Sequence, residues 1–409
     1  MPYERKIIND PVFGFINIPK GLLYDIVRHP LLQRLTRIKQ VGLSSVVYPG
    51  AQHTRFQHSL GAFHLMSEAI TQLASKGNFI FDSEAEAVQA AILLHDIGHG
   101  PFSHVLEDTI VKGVSHEEIS LMLMEQMNKE MNGQLSLAIQ IFKDEYPKRF
   151  LHQLVSGQLD MDRLDYLRRD SFYTGVTEGN IGSARIIKML DVADDRLVVE
   201  SKGIYSIENF LTARRLMYWQ VYLHKTSVAY EKMLISTLLR AKELASQGVE
   251  LFASPALRFF LYNDINPTEF YNNPDCLENF IQLDDNDIWT ALKVWSTHTD
   301  KVLSTLSTGM INRNIFKVEI SSEPISEDRK KELTLHISQQ LGITLSEANY
   351  FVSTPSIEKN MYDPADDSID IIYKDGTIKN IAEASDMLNI SLLSKKVKKY
   401  YICYLRWDR

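Results

Sequence analysis

The stretch ILLHDIGHGPFSH, Ile92 to His104, decides how the rest of the chain is read. It sets His95 beside Asp96, then adds His99 and His104 on either side of a Gly-Pro break. Imidazole and carboxylate are the usual ligands of a divalent metal, and an uncommitted histidine nearby can move a proton. A lone His-Asp pair at a helix end is more often a cap or an internal hydrogen bond. The weight therefore rests on the density of histidines here and on candidate ligands elsewhere. Immediately upstream, SEAEAVQAAILL has Ser83 as a candidate cap, an acidic first turn and an Ala-rich apolar run that stops at Gly98 and Gly100. That pattern predicts a buried helix with His95 and Asp96 at its end.

Further upstream, Pro49 and Gly50 mark a turn, and Phe56, Leu60, Phe63, Ile70 and Leu73 give helical periodicity from about Thr54 to Lys76. On that helix Arg55 and His58 share a face, and His53 and His64 are further candidates by residue type. The segment LLYDIVRHPLLQRLTRIKQVG carries Arg28, Arg34, Arg37 and Lys39, which read either as a solvated face or as a phosphate-contacting edge. IINDPVFGFINIP reads as a hairpin or extended segment packed on a helical body.

Downstream, VSHEEISLMLMEQM predicts an amphipathic helix opening with Ser115, His116 and Glu117. In GQLDMDRLDYLRRDSFYTGV, Asp162, Tyr166 and Asp170 recur every four residues with Arg163 beside them. Such alternating charge is usually a solvated surface, but it supplies a second carboxylate and a guanidinium. A single long helix is expected from about Ser206 to Ser246, with Arg214, Tyr218, Tyr222 and Lys225 in one polar-aromatic stripe. The stripe reads either as snorkelling bases and half-buried tyrosines or as the wall of a nucleotide pocket. After a further helical stretch to about residue 312, FKVEIS, NYFVSTP, SIDIIYKDG and KYYICYL read as strands, with helices at Glu327–Leu341 and near 381–393. The expected architecture is mainly α: a helical core over 1–312 with an N-terminal hairpin-like segment, then a smaller α+β subdomain over 313–409.

The chain has 409 residues, and its 52 acidic side chains outnumber 44 basic ones for a formal net charge of -8, which argues against general nucleic-acid binding. Cys276 and Cys403 stand far apart in no metal-binding spacing, so neither a disulfide framework nor a zinc-thiolate site is indicated. The N-terminal stretch lacks a signal-peptide pattern and no apolar run reaches membrane-spanning length, making the cytoplasm the default.

TRFQHS at 54–59, HDIGHGPFSH at 95–104 and DMDRLDYLRRD at 160–170, in this order, resemble the HD-domain deoxynucleoside triphosphate triphosphohydrolases, both the bacterial dNTPases and the catalytic core of the SAM-and-HD-domain dNTPases. The resemblance runs from INDP near residue 8 to about residue 233 and is looser in the C-terminal part. It implies an HD-domain core and one divalent metal ion per active site, held by His58, His95, Asp96 and Asp162. Mg, Mn, Fe, Ni and Zn are all candidates for such a mixed N/O set. It further implies that His99, His104 and His116 surround the scissile phosphate, with His104 and His116 beside Glu107 and Glu117 as the acid-base group, and phosphate contacts from Arg55, Arg163 and Arg214. Asp170 would accept from the 3'-hydroxyl, Tyr166 and Tyr222 would lie against the deoxyribose, and Gln40 and Val41 would border sugar and base. Arg163 departs from the lysine of vertebrate relatives.

The implied reaction is hydrolysis of a dNTP, dGTP included, to a deoxynucleoside and inorganic triphosphate, a role in dGTP catabolism. A homo-oligomer, dimer or tetramer, is expected. For a GTP effector the regulatory segment keeps Lys6 and Gln33 but departs at Arg28 and Thr36, so GTP activation is not carried over. Arg185 and Lys202 read as surface charge, with contact to a dNTP effector as the alternative. The competing functions are an HD phosphohydrolase acting on a monophosphate, cyclic nucleotide or alarmone, and a non-catalytic nucleotide sensor.

Overall fold

A computed structural model describes residues 4–102, 104–359, 368–386 and 397–406. The fold is mainly helical, with three small sheets among the described residues. The N-terminal segment is the expected hairpin: Arg5–Asp10 pairs antiparallel with Gly14–Pro19, and Ile16 and Ile18 are fully buried against the helical body.

The centre of the core is the packing of three helices that carry the sequence motifs. Arg55–Ser75 packs against both Asp82–Leu94 and Met161–Thr174. Its start is set by a capping box in which Thr54 accepts from the Gln57 backbone and Gln57 reaches back to Thr54. Ala87, Ala90 and Ala91 keep the Asp82–Leu94 helix slim, and it is buried along most of its length. This helix begins two residues earlier than a Ser83 cap would place it. Ser83 is not its cap; Glu84 closes the first turn by accepting from the Phe81 backbone and is itself buried under Tyr146 and Lys148. The helix His116–Glu130 does start at the Ser115 cap, with Glu118 completing the box.

The single helix expected over 206–246 is two. Ile204–Met217 runs into a π-helical turn, Tyr218–Tyr222, and the chain then breaks at His224, which caps a second helix, Lys225–Ser246. The apolar periodicity carries straight through the break, so pattern alone does not reveal it. The π turn is held from outside: Tyr48 donates to the Gln220 carbonyl at 2.6 Å, and the Lys399 ammonium sits 3.8 Å from the centre of the Trp219 ring.

After residue 313 the α+β pattern appears as expected. Val397–Tyr404 pairs antiparallel with Lys317–Ser321, Val352–Ser353 and Ser356–Lys359, and Glu327–Leu341 is a helix. Of the helix expected near 381–393, Ile381–Ala384 is present and 387–396 lies outside the described residues. A second sheet joins this part to the body, because Asp370–Ile372 pairs in parallel with Arg196–Glu200 of a hairpin formed by 190–200. No described helix is long and apolar enough to cross a membrane.

Candidate metal and phosphoryl-transfer site

Four side chains from three helices and one turn converge. His58 Nε2 lies 3.3 Å from His95 Nε2 and 3.1 Å from Asp162 Oδ1, and His95 Nε2 lies 3.5 Å from the same oxygen. Asp96 completes the group, its Oδ2 3.7 Å from His58 Nε2 and its Oδ1 3.5 Å from His95 Nε2. Arg55 donates to Asp96 Oδ2 at 2.6 Å.

The hydrogen bonds behind these residues fix what they present. His58 Nδ1 is 2.7 Å from Asp165 Oδ2 and His95 Nδ1 is 2.7 Å from the Ile92 carbonyl. Both partners can only accept, so both Nδ1 atoms carry hydrogen and both Nε2 atoms turn lone pairs toward each other and toward the Asp162 carboxylate. The three ligand atoms of His58, His95 and Asp162 lie within 4.8 Å of one another. Such a convergence of acceptors is repulsive until a cation occupies it, and the donor set fits a divalent metal. A proton is the weaker substitute: although burial opposes its charged form, hydrogen bonds to Asp162 and Asp165 push His58 up to about 10. The same histidines hold the buried Asp162 well below the usual carboxylate range.

Asp165 is itself part of a buried chain of charges. Arg169 donates to it at 2.9 and 3.0 Å and to Asp10 of the hairpin at 2.7 Å. Gly61 makes room for this pair, since a Cβ there would come within 1.9 Å of Asp165 Oδ1 and 2.1 Å of Arg169 Nη2. The charged stretch 160–170 is thus no solvated surface: Asp160, Asp165, Arg169 and Asp170 are all at most 1% exposed. It is tolerated because each charge has a partner: Asp165, Arg169 and Asp170 reach His58, Asp10 and His53 on other elements, and Asp160 pairs with Arg163 of its own helix.

The turn after His95 is braced in a similar way. Arg34, buried, donates to the carbonyls of Ile97 and His99 at 2.9 and 2.7 Å. Ser120 donates to the His95 carbonyl and accepts from the Gly98 N–H. A Cβ on Gly98 would meet the His116 carbonyl at 2.1 Å and the Ser120 nitrogen at 2.3 Å, so glycine alone allows this close approach of backbones. The approach brings His99 and His116 into edge-to-face contact at 3.9 Å, and His116 Nδ1 lies 3.1 Å from Glu107 Oε1. Glu117 is exposed one residue along the same helix. The side chain of His104 lies outside the described residues.

Beside the cluster lies a polar-aromatic wall. Asp170 faces His53 Nε2 at 2.6 Å through one oxygen and accepts from the Tyr222 hydroxyl at 2.7 Å through the other. Tyr222 meets Tyr166 and Tyr218 edge-on, at 6.0 and 5.3 Å. Gln40 approaches through its N–H to the His53 carbonyl, and Val41 caps the short turn Gly42–Val46. Arg214 donates to Gln158 at 3.0 Å, and Arg163 is ion-paired with Asp160. The Nε atoms of Arg55, Arg163 and Arg214 and Oε1 of Gln40 are buried with no hydrogen-bond partner among the described residues. Sequence reasoning did not single out Asp10, Asp165, Arg169 or Ser120. A hint for Asp165 existed, because it stands three residues from Asp162 and so on an adjoining helix face.

Comparison with known proteins agrees with this geometry. Residues 55–170 match the model of the HD domain and residues 181–253 that of an HD associated region. The chain is 95% identical to a phosphohydrolase from Bacteroides thetaiotaomicron, whose crystal structure covers 98% of this chain, is itself covered completely, and superposes with a TM-score of 0.97. It is 29% identical to the uncharacterized protein YwfO of Bacillus subtilis over 98% of this chain and 92% of that one. It is 30% identical to the deoxynucleoside triphosphate triphosphohydrolase SAMHD1 homolog of Dictyostelium discoideum over 77% of this chain, spanning 60% of that protein's length.

Proposed function

Since the chain belongs to the HD-domain phosphohydrolases, we propose that it hydrolyses deoxynucleoside triphosphates, dGTP among them, to a deoxynucleoside and inorganic triphosphate. The observation that carries this reading is one helix, Met161–Thr174: Asp162 enters the ligand cluster, while Tyr166 and Asp170 follow at steps of four on the wall beside it. Eight residues of helix rise about 12 Å, so Asp162 and Asp170 project from successive turns of one helix and can serve neighbouring parts of one bound substrate. The resemblance to the SAMHD1 homolog supports the same substrate class.

His58, His95, Asp96 and Asp162 would hold a divalent cation, which when bound would supply charge stabilisation for phosphoryl oxygens. The chain's own residues do the rest. Arg55 already faces the cluster, and Arg163 and Arg214 would add their unsatisfied Nε atoms to the phosphates. Glu107 lies against His116 Nδ1, and as an imidazolium His116 would hand the proton on its other nitrogen to the leaving oxygen, with His99 against its ring and His104 assigned to the same group by resemblance. Asp170 accepts a hydroxyl of the sugar, and the Tyr166–Tyr222 wall leaves little room at C2', which favours deoxyribose. In keeping with the family resemblance, we assign the protein to the homo-oligomers.

The test is a metal-replete assay over four dNTPs and four NTPs, singly and mixed, with triphosphate resolved from monophosphate plus pyrophosphate. Triphosphate from dNTPs, lost in Asp162→Ala, is expected. Monophosphate as the product, or equal turnover of NTPs, overturns the proposal.

A further inference from the structure

His53 is a histidine that the metal cluster does not use, although it stands only five residues from His58. We infer that His53 is a positioning residue for the sugar end of the substrate, orienting Asp170 to accept a 3'-hydroxyl and holding Gln40 on the opposite side. The inference rests on the dNTP reading above and deepens it.

Asp170 is 1% exposed, and a buried carboxylate persists only when its oxygens find donors. Its Oδ1 is 2.6 Å from His53 Nε2 and its Oδ2 accepts from Tyr222. Both donors are held from behind. Tyr222 ends the π-helical turn braced by Tyr48 and Lys399. The His53 ring, 2% exposed, lies parallel to the Tyr173 ring with centroids 4.4 Å apart and an interplanar angle of 17°. Tyr173 in turn accepts at its hydroxyl from Gln57, part of the capping box that starts the Arg55–Ser75 helix. His53 is therefore a fixed donor, and a fixed donor sets the direction of the carboxylate's remaining lone pairs. A carboxylate has about four such sites, so the two existing bonds leave room for a substrate hydroxyl.

The backbone of the same residue reaches the other wall. The His53 carbonyl accepts from Gln40 N–H at 3.0 Å, and the flanking pair, Arg55 N–H to the Ile38 carbonyl at 2.9 Å, closes a short bridge between Lys39 and Thr54. The Oε1 of Gln40 is buried without a hydrogen-bond partner among the described residues. One residue thus sets the spacing between two groups expected to touch the sugar.

The test pairs each variant with a dNTP and its 2',3'-dideoxy counterpart, measuring triphosphate release and metal content. Wild type is expected to prefer the dNTP by about tenfold or more, the usual consequence of leaving a buried acceptor unpaired. His53→Phe keeps an aromatic ring against Tyr173 and removes the donor. Its kcat/KM on the dNTP should fall about tenfold or more while that on the dideoxy substrate changes little, so the preference collapses with metal content unchanged. His53→Gln, whose amide can donate to Asp170, should restore most of the preference. Equal losses on both substrates, or a preference that survives in His53→Phe, overturn the inference. If melting curves show that His53→Phe does not fold, His53→Gln and His53→Met decide: Gln must keep the preference and Met must lose it. A wild type that turns over dNTPs without regard to the 3'-hydroxyl overturns the inference alone. A wild type that releases no triphosphate from any dNTP overturns the dNTP reading and the inference together.

Discussion

Replacing Asp165 by asparagine swaps one oxygen for an amide nitrogen at a position with no exposure, where every neighbour is a donor. Turned one way, the new NH2 faces His58 Nδ1 and Arg169 Nε; turned the other, it faces Arg169 alone. The second orientation is the less costly, because Arg169 keeps Asp10. His58 then retains an acceptor but loses the charge that makes its Nε2 a strong ligand. Outer-shell changes of this kind weaken metal binding by about 10- to 100-fold, and the retained hydrogen bond places this one near tenfold, about 1.4 kcal/mol. Breaking a buried ion pair costs about 3–5 kcal/mol, and the surviving Arg169–Asp10 pair keeps the folding cost at the lower end. Competition against a chromogenic chelator measures the affinity, and denaturant unfolding of the metal-free protein measures the stability. An Asp165→Asn protein that folds and binds metal within about twofold of wild type would refute the claim that Asp165 tunes His58.

Gly98→Ala forces a methyl into the backbone of the His116–Glu130 helix, so a loss above about 3 kcal/mol in stability is expected, read by urea unfolding; a loss under about 1 kcal/mol would show that the turn and helix can part freely. Asp285, largely buried, has its carboxyl pushed up to about 6 by burial, against the hydrogen bond it accepts from Lys39 N–H. A carboxyl raised in the folded state stabilises it at low pH and loses that contribution as pH rises from about 4 to 6. Asp285→Asn, which keeps the acceptor and removes the buried charge, should therefore stabilise the protein at pH 8 by up to about 3 kcal/mol and leave it unchanged below pH 4; destabilisation at pH 8 would contradict this. Chelation should abolish phosphohydrolase activity and lower the melting temperature by a few degrees, restored by added Mn or Mg, because a ligand bound only to the folded state stabilises it by mass action. An unchanged melting temperature would argue against a bound ion.

The candidate metal cluster was legible because its residues sit in extended motifs: HDIGHG singles out His95 and Asp96 by residue type, while His58 and Asp162 became ligands only through the resemblance carried by TRFQHS and DMDRLDYLRRD. Helix starts marked by Thr54 and Ser115 were legible for a local reason, since a capping box is complete within four residues. What escaped depends on contacts between distant segments. Arg34 reads as one of four surface bases, and only the fold brings it to the carbonyls of Ile97 and His99. Arg169 reads as one more charge in a charged helix, and only the hairpin 159 residues away gives it a reason to be buried. The interruption at Tyr218–Tyr222 escaped because a π turn shifts hydrogen bonding without changing the apolar rhythm.

The Lys399 ammonium over Trp219 has a consequence for the chain during its synthesis. Every ligand of the metal cluster has left the ribosome once residue 162 has emerged, and the residues that brace His58 follow by 169. The π turn that carries Tyr222 receives its outer clamp from a strand that begins at 397. A nascent chain can therefore bring its candidate ion site together more than two hundred residues before the strand that clamps the wall beside it has been made.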